Sequence, residues 1–186
     1  MDKHRLQPPV TAEEVRRLKA GDVVTITGPI YTARDAAHKR LIETLRAGKP
    51  LPVDLQGQVI YYVGPTPAQP GQVSGSAGPT TSGRMDPYTP ALLEQGLKVM
   101  IGKGRRSPEV IAAMKEFGVV YLGLVGGTAA LVAQAIKRVD VVAYADLGAE
   151  AIHRFYVEDL ATMVLIDSRG RDLYETEPAK YAFSPT

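Results

Sequence analysis

The chain has 186 residues, 45% of them hydrophobic and 23% charged, the balance of a globular protein long enough for one domain with a real core. Its 22 basic and 20 acidic side chains leave a net charge of +2, too even to imply a nucleic-acid footprint. No apolar run approaches the ~18–20 residues that cross a bilayer, and the start MDKHRLQPPV lacks a signal-peptide core, so a cytoplasmic protein without a membrane partner is expected.

In chain order, Thr11 to Ala20 reads as a short helix, with Thr11 and Glu14 as the two halves of a capping box. Asp22 to Thr27 is a β-branched strand expected to end at the turn pair Gly28-Pro29. Asp35 to Ala47 sets Ala37, Leu41, Ile42 and Leu45 on one helical face and stops at Gly48. Gln58 to Val63 is a near-continuous apolar strand. The Gly, Pro, Ser and Thr residues of Gly64 to Gly83 suit either a flexible linker or an ordered functional loop, and their place directly after a buried strand favours the loop.

Alternation then becomes regular. Helices are expected over Pro87–Gln95, Ser107–Phe117 and Thr128–Lys137, and strands over Leu97–Ile101, Val119–Leu124 and Val139–Tyr144. Ser107 caps its helix, Pro108 suits the first turn and Gly118 ends it. Ile152–Val157 and Thr162–Ile166 read as two strands flanking a turn, and Thr176–Thr186 as a loose tail after a single domain of residues 1–175. The predicted fold class is α/β, a central sheet flanked by helices and mixed at one edge.

The chemistry is limited by what is missing. Without cysteine there is no thiolate metal ligand, and His4, His38 and His153 leave little for zinc, so no metal ligand is assigned here. Gly102-Lys103-Gly104 lies between a strand and a helix without completing a phosphate-loop motif, and Gly123 to Gly127 does not complete a dinucleotide fingerprint. Lys103 stands either in a solvated turn with two surface arginines or as a fixed charge at a strand's carboxyl end. Arg34 precedes a helix that Asp35 is expected to cap, and a guanidinium there suits a carboxylate. His38 reads as an exposed helical residue in preference to a support for Arg34. Arg34, Arg84 and Lys103, with the hydroxyls of Thr80, Thr81 and Ser82, would together suit a small dianion, and Arg84 stands four residues from Thr80, near enough to acidify its hydroxyl.

The stretches "RDAAHKRL" from Arg34, "GPTTSGRMD" from Gly78, "IGKG" from Ile101, "YLGLVGGTAALVAQ" from Tyr121 and "DLGAEAI" from Asp146 resemble the beta subunit, or carboxyl-terminal domain, of class I iron-sulfur fumarate hydratases and tartrate dehydratases. The resemblance runs over roughly residues 10 to 175. It implies a swivelling β/β/α domain that closes over a 4Fe-4S cluster carried by a separate alpha subunit, in an assembly of two alpha and two beta chains. It further implies reversible hydration of fumarate to malate, with tartrate as the alternative substrate. By motif position it assigns Arg34, Arg84 and Lys103 to substrate carboxylates and Thr80 to proton exchange at carbon, Thr81 being the other candidate. A non-catalytic dicarboxylate-binding module, or a subunit whose loops serve only an interface, are the competing readings.

Overall fold

A computed structural model describes residues 1–124 and 129–181. Its strands are β1 (Lys3–Leu6), β2 (Val23–Thr32), β3 (Val59–Tyr61), β4 (Val99–Ile101), β5 (Val120–Leu124), β6 (Ile136–Ala143) and β7 (Ile152–Ile166). Its helices are α1 (Ala12–Arg17), α2 (Asp35–Arg46), α3 (Thr89–Glu94), α4 (Pro108–Phe117), α5 (Ala129–Ala135) and α6 (Leu173–Tyr181), and short 3-10 turns run over Ser82–Met85 and Ala145–Glu150.

The α/β class is as expected, and the sheet is mixed. Strands β1 to β5 are parallel neighbours in chain order. Strand β7 is antiparallel to β5, β6 and β2. Because β7 pairs with both β2 and β5, the sheet closes on itself, leaving β1 and β6 outside the ring. Closure explains the near-continuous apolar runs of β3, β4 and β5, which are buried on both faces. Val59, Tyr61, Val99, Ile101, Val120, Leu122, Phe155 and Val164 fill the ring with β2's Val24 and Ile26. The alternate residues Ile60, Tyr62, Met100 and Tyr121 face outward and pack under α2, α3 and α4 through Leu41, Leu92 and Met114.

The local signals for helix ends hold. Thr11 and Glu14 form the reciprocal capping box, Ser107 Oγ accepts from the Val110 amide at 3.3 Å, and Gly118 ends α4 at φ 63°.

Several strand and helix limits differ from expectation. Strand β2 does not turn at Gly28-Pro29 but runs on to Thr32; Gly28, at φ 128°, instead marks a bulge opposite β7. The turn expected between Val157 and Thr162 is the other half of that bulge. Three steps along β7, from Val157 to Leu160, match two along β2, and Asp159 takes φ 49° with its amide on Thr27 Oγ1 at 3.1 Å. Strand β1 has no sequence counterpart, since KHRL carries no β-branched or alternating pattern. Helix α3 starts two residues after Pro87, and β6 takes over the end of the helix expected to reach Lys137. Thr128, the expected start of that helix, lies outside the described residues. Helix α6 includes residues 176–181 of the expected loose tail, and residues 182–186 lie outside the described ones.

The Gly64–Gly83 stretch joins two neighbouring strands of one sheet and is closed on itself. The Thr66 amide donates to the Ser76 carbonyl at 3.0 Å, the Tyr61 hydroxyl donates to the Ala77 carbonyl, and Ala77 is fully buried. Because β2, β3 and β4 are parallel, their carboxyl ends at Thr32, Tyr61 and Ile101 lie at one end of the ring, and the loops carrying Arg34, Thr80, Arg84 and Lys103 all leave from that end.

The closing strand is the most exacting part of this core. Phe155→Ala should lower unfolding free energy by about 3–5 kcal/mol, seen in urea melts as a lower midpoint with an unchanged slope.

Candidate functional site at the carboxyl end of the parallel strands

Arg34 is the residue that caps α2, in extended conformation, and its side chain lies along the backbone of Gly64, where a Cβ would stand 3.0 Å from Arg34 Cδ. Asp35 is therefore the first helical residue and not the cap. Its carboxylate reaches sideways: Oδ1 stands 2.9 Å from Arg84 Nε and Oδ2 3.7 Å from Arg34 Nη2. Glu150 Oε1 lies 3.3 Å from the same Arg34 Nη2, while its Oε2 accepts from the Ala36 amide at 3.2 Å. Two arginines from separate elements thus meet on one carboxylate. Arg34 Nε and Asp35 Oδ2 are buried without a hydrogen-bond partner among the described residues.

The Thr80 loop and the Lys103 loop are joined edge to edge. Thr81 bridges Lys103 in parallel fashion, the Ser82 amide donates to the Lys103 carbonyl at 2.9 Å, and the Thr80 amide donates to the Tyr62 carbonyl at 2.7 Å. Gly102 is required by this approach, since a Cβ there would lie 2.0 Å from Ser82 Oγ and 2.9 Å from the Tyr62 ring. Thr80 is half-buried, while Thr81, Arg84 and Lys103 are exposed. Ser82 is withdrawn from the set of free hydroxyls: it is fully buried and hydrogen-bonded to Tyr121, whose hydroxyl donates to the Gly104 carbonyl at 3.0 Å. The four candidates are therefore brought to one end of the sheet, Arg34 with Arg84 through Asp35, and residues 80–82 with Lys103 through backbone pairing.

Two residues beneath this site depart from the sequence reading. Arg106, a surface residue in the solvated-turn reading that was one of two for this loop, has a side chain fully shielded from solvent. Its Nε donates to Asp86 Oδ1 at 2.7 Å and its Nη2 to Thr89 Oγ1 at 2.9 Å, and the guanidinium lies over the rings of Tyr62 and Tyr121. Burial works against its charge, but Tyr62 and Asp86 outweigh that and hold its pKa above the usual value. The other oxygen of Asp86 accepts from the Ser107 amide at 2.7 Å, at the start of α4. Arg105 does lie outside, with Nη2 donating to the Tyr174 carbonyl at 3.0 Å.

His38 is the second departure. It is buried, not exposed, edge-on to Tyr62 at 5.4 Å, with Nδ1 donating to the Arg34 carbonyl at 2.8 Å. Its Nε2 has no partner among the described residues. Burial lowers its pKa to about 4, which the Arg34 carbonyl only partly opposes, so the imidazole is neutral at physiological pH. It supports the backbone of Arg34 and does not supply a charge. Residues 125–127 of the Gly123 to Gly127 segment lie outside the described residues.

With this geometry in place, comparison with known proteins is decisive. The sequence profile described as Fumarase C-terminus matches residues 2–177. The chain belongs to that family. It is 42% identical over 169 residues to fumarate hydratase 1, mitochondrial, of Leishmania major, covering 90% of this chain and 31% of that protein. It is 44% identical over 154 residues to the anaerobic class I fumarate hydratase of Escherichia coli K12, covering 82% of this chain and 28% of that one. The chain thus spans less than a third of these two relatives. A Methanocaldococcus jannaschii protein named for the beta subunit of L(+)-tartrate dehydratase is 39% identical over 172 residues, with 89% of this chain and 88% of that protein covered. Among the described residues no helix is long and apolar enough to cross a membrane.

Two outcomes follow from the buried groups. Asp86→Ala should cost about 3–5 kcal/mol by leaving Arg106 as an uncompensated buried charge, measured by chemical denaturation. Because the folded state keeps His38 neutral with a pKa of about 4, the unfolded state binds its proton first as pH falls below about 6.5. Its stabilisation is complete above that pH and is lost on acidification toward pH 4. From pH 7 to 4.5, unfolding free energies should therefore fall by about 2–3 kcal/mol more in the wild type than in His38→Gln.

Proposed function

We propose that this chain is the beta subunit of a class I hydro-lyase that hydrates fumarate reversibly to malate together with a separate alpha subunit, two of each. The observation that carries the reading is the convergence of Arg34, Arg84 and Lys103 with Thr80 at one end of the parallel strands, in a chain of the Fumarase C-terminus family. A small dicarboxylate has two anionic ends, and cations from three separate loops suit it better than a single basic patch would. Similarity to proteins named as fumarate hydratases, the E. coli one of class I, supports the reaction.

The chain contains no cysteine, so the thiolates of a 4Fe-4S cluster would come from the alpha subunit. When bound there, such a cluster would supply Lewis-acid polarisation of the substrate. The residues of this chain do the rest of the binding and one proton transfer. Arg34 and Arg84 take a carboxylate and stabilise the negative charge that grows on it as the neighbouring carbon gains or loses a proton. Lys103, from the adjoining loop, holds the other end. The Thr80 hydroxyl carries the carbon-bound proton, its oxyanion form favoured by the neighbouring cations, with Thr81 as the alternative carrier. Closure of this domain over the alpha subunit would exclude water other than the reactant.

Tartrate is the second reading for the substrate, favoured by the 39% identity over 172 residues to the M. jannaschii protein named for a tartrate dehydratase beta subunit. Both reactions remove water from a four-carbon dicarboxylate, so the residue roles are the same.

The test is anaerobic co-expression with the alpha-type chain, followed by fumarate and tartrate turnover with and without this subunit. Malate should form only with both chains present, and Thr80→Val should lower kcat on the order of 100-fold with KM changed only a few-fold. Dicarboxylate binding without turnover would make the chain a binding module. Unchanged turnover in the valine variant would move the proton to Thr81.

A further inference from the structure

We infer that Asp35 is a positioning residue that sets Arg84 against Arg34 for carboxylate binding. The inference rests on the reading of those arginines as carboxylate ligands and adds to it a residue that presents no positive charge of its own.

The argument starts from what Asp35 does not do. An aspartate beside a helix start ordinarily accepts from first-turn amides, but Arg34 occupies the cap position and Asp35 makes no such bond among the described residues. Its carboxylate is instead turned across to the 3-10 turn of Ser82–Met85. Arg84 is more than half exposed there, and its long side chain has many rotamers available to it. The Oδ1 to Nε approach of 2.9 Å restrains that freedom from the inner side of the guanidinium, leaving the outer edge with its two terminal nitrogens for a ligand.

Arg34 is held in a complementary way. Glu150 approaches Nη2 at 3.3 Å, and the Gly64 backbone packs against the side chain, yet Nε is buried with no hydrogen-bond partner among the described residues. A buried guanidinium donor without an acceptor is costly. Nε has no accessible surface for a ligand to touch, so a ligand carboxylate meets the 24% of the Arg34 side chain that stays exposed, and it can reach Arg84 because Asp35 lies between the two arginines. Asp35 Oδ2, also buried and unsatisfied, is 3.7 Å from Arg34 Nη2 and completes the chain Glu150, Arg34, Asp35, Arg84.

Positioning and competition predict opposite results when the charge of Asp35 is removed. If Asp35 only competes with substrate for the arginines, its loss tightens dicarboxylate binding. If it positions Arg84, its loss weakens binding despite the gain in net positive charge.

The experiment uses the assembled alpha–beta protein and succinate, a dicarboxylate that cannot be hydrated, in calorimetric titrations of wild type, Asp35→Asn, Arg84→Gln and the double variant. Positioning predicts that Asp35→Asn raises the succinate Kd roughly tenfold, that Asp35→Glu recovers part of the loss, and that Asp35→Asn adds little in the Arg84→Gln background. An unchanged or lower Kd in Asp35→Asn, or an equal added loss in the double variant, overturns the inference. A fold defect reduces the fraction of protein that binds, which the titration stoichiometry reports separately from Kd. Failure of the wild type to turn over fumarate or tartrate would reject the enzymatic reading and leave this comparison of succinate affinities as decisive as before.

Discussion

The arrangement of the site depends on one buried ion pair, Arg106 with Asp86. A guanidinium shielded from solvent has to be met by a carboxylate and by further acceptors, and here Asp86 and Thr89 supply them while the Tyr62 and Tyr121 rings cover its faces. Arg106 follows β4 and Asp86 belongs to the segment after β3, so satisfying the charge locks one loop to the other. The second oxygen of Asp86 takes the Ser107 amide, which ties the same contact to the start of α4. Arg84 lies two residues before Asp86 and Lys103 three before Arg106. Arg84 and Lys103 therefore hang from backbone whose position is determined just beneath them.

Close backbone approach completes the constraint. The strand-like pairing of Thr81 with Lys103 requires Ser82 to pass over Gly102, where any side chain would collide. Ser82 then reaches Tyr121 and, through it, the Gly104 carbonyl. A glycine, a small hydroxyl residue and a phenol on three successive parts of the sheet thus form a single contact, and substitution at any one is felt at both loops. On the other side, the bond from His38 to the Arg34 carbonyl fixes the entry to α2, and burial keeps that imidazole neutral.

Much of this was legible in the sequence because it follows from local rules. The capping box at Thr11, the Ser107 and Gly118 limits of α4 and the uniformly apolar β3 all depend on neighbours in the chain. The misread features depend on partners far away. Gly28-Pro29 has the composition of a turn, but opposite β7 it is a bulge in a continuing strand. Arg105 and Arg106 are adjacent and identical, yet only the second points inward, and nothing within the loop distinguishes them. His38 lies one turn from Arg34 and is in register with Leu41, Ile42 and Leu45 on the buried face of α2, a spacing that could have signalled its burial; Tyr62 and Tyr88, from other elements, complete it. The candidate ligand residues were picked out through motif resemblance and their places after strands; the carboxylates beside them, Asp35 and Glu150, were not, because a capping reading of Asp35 left no reason to look further.

Those carboxylates change how the electrostatics of the site should be understood. Arg34, Arg84 and Lys103 would amount to three positive charges at the end of the ring, but Asp35 and Glu150 stand among them at ion-pair distance from the two arginines. A bare cluster of cations would repel itself, and long side chains would relieve the repulsion by spreading into solvent. Interposed carboxylates let the arginines stay close, with more than half of the Arg84 side chain still exposed. The arrangement gives up some attraction for a free dianion in exchange for geometry, and geometry matters more for the proposed dicarboxylate substrate, whose two carboxylates would be held while charge develops on only one of them. In the proposed reaction these residues fix and polarise, and the one proposed proton carrier is a threonine whose acidity depends on how near the arginines are kept.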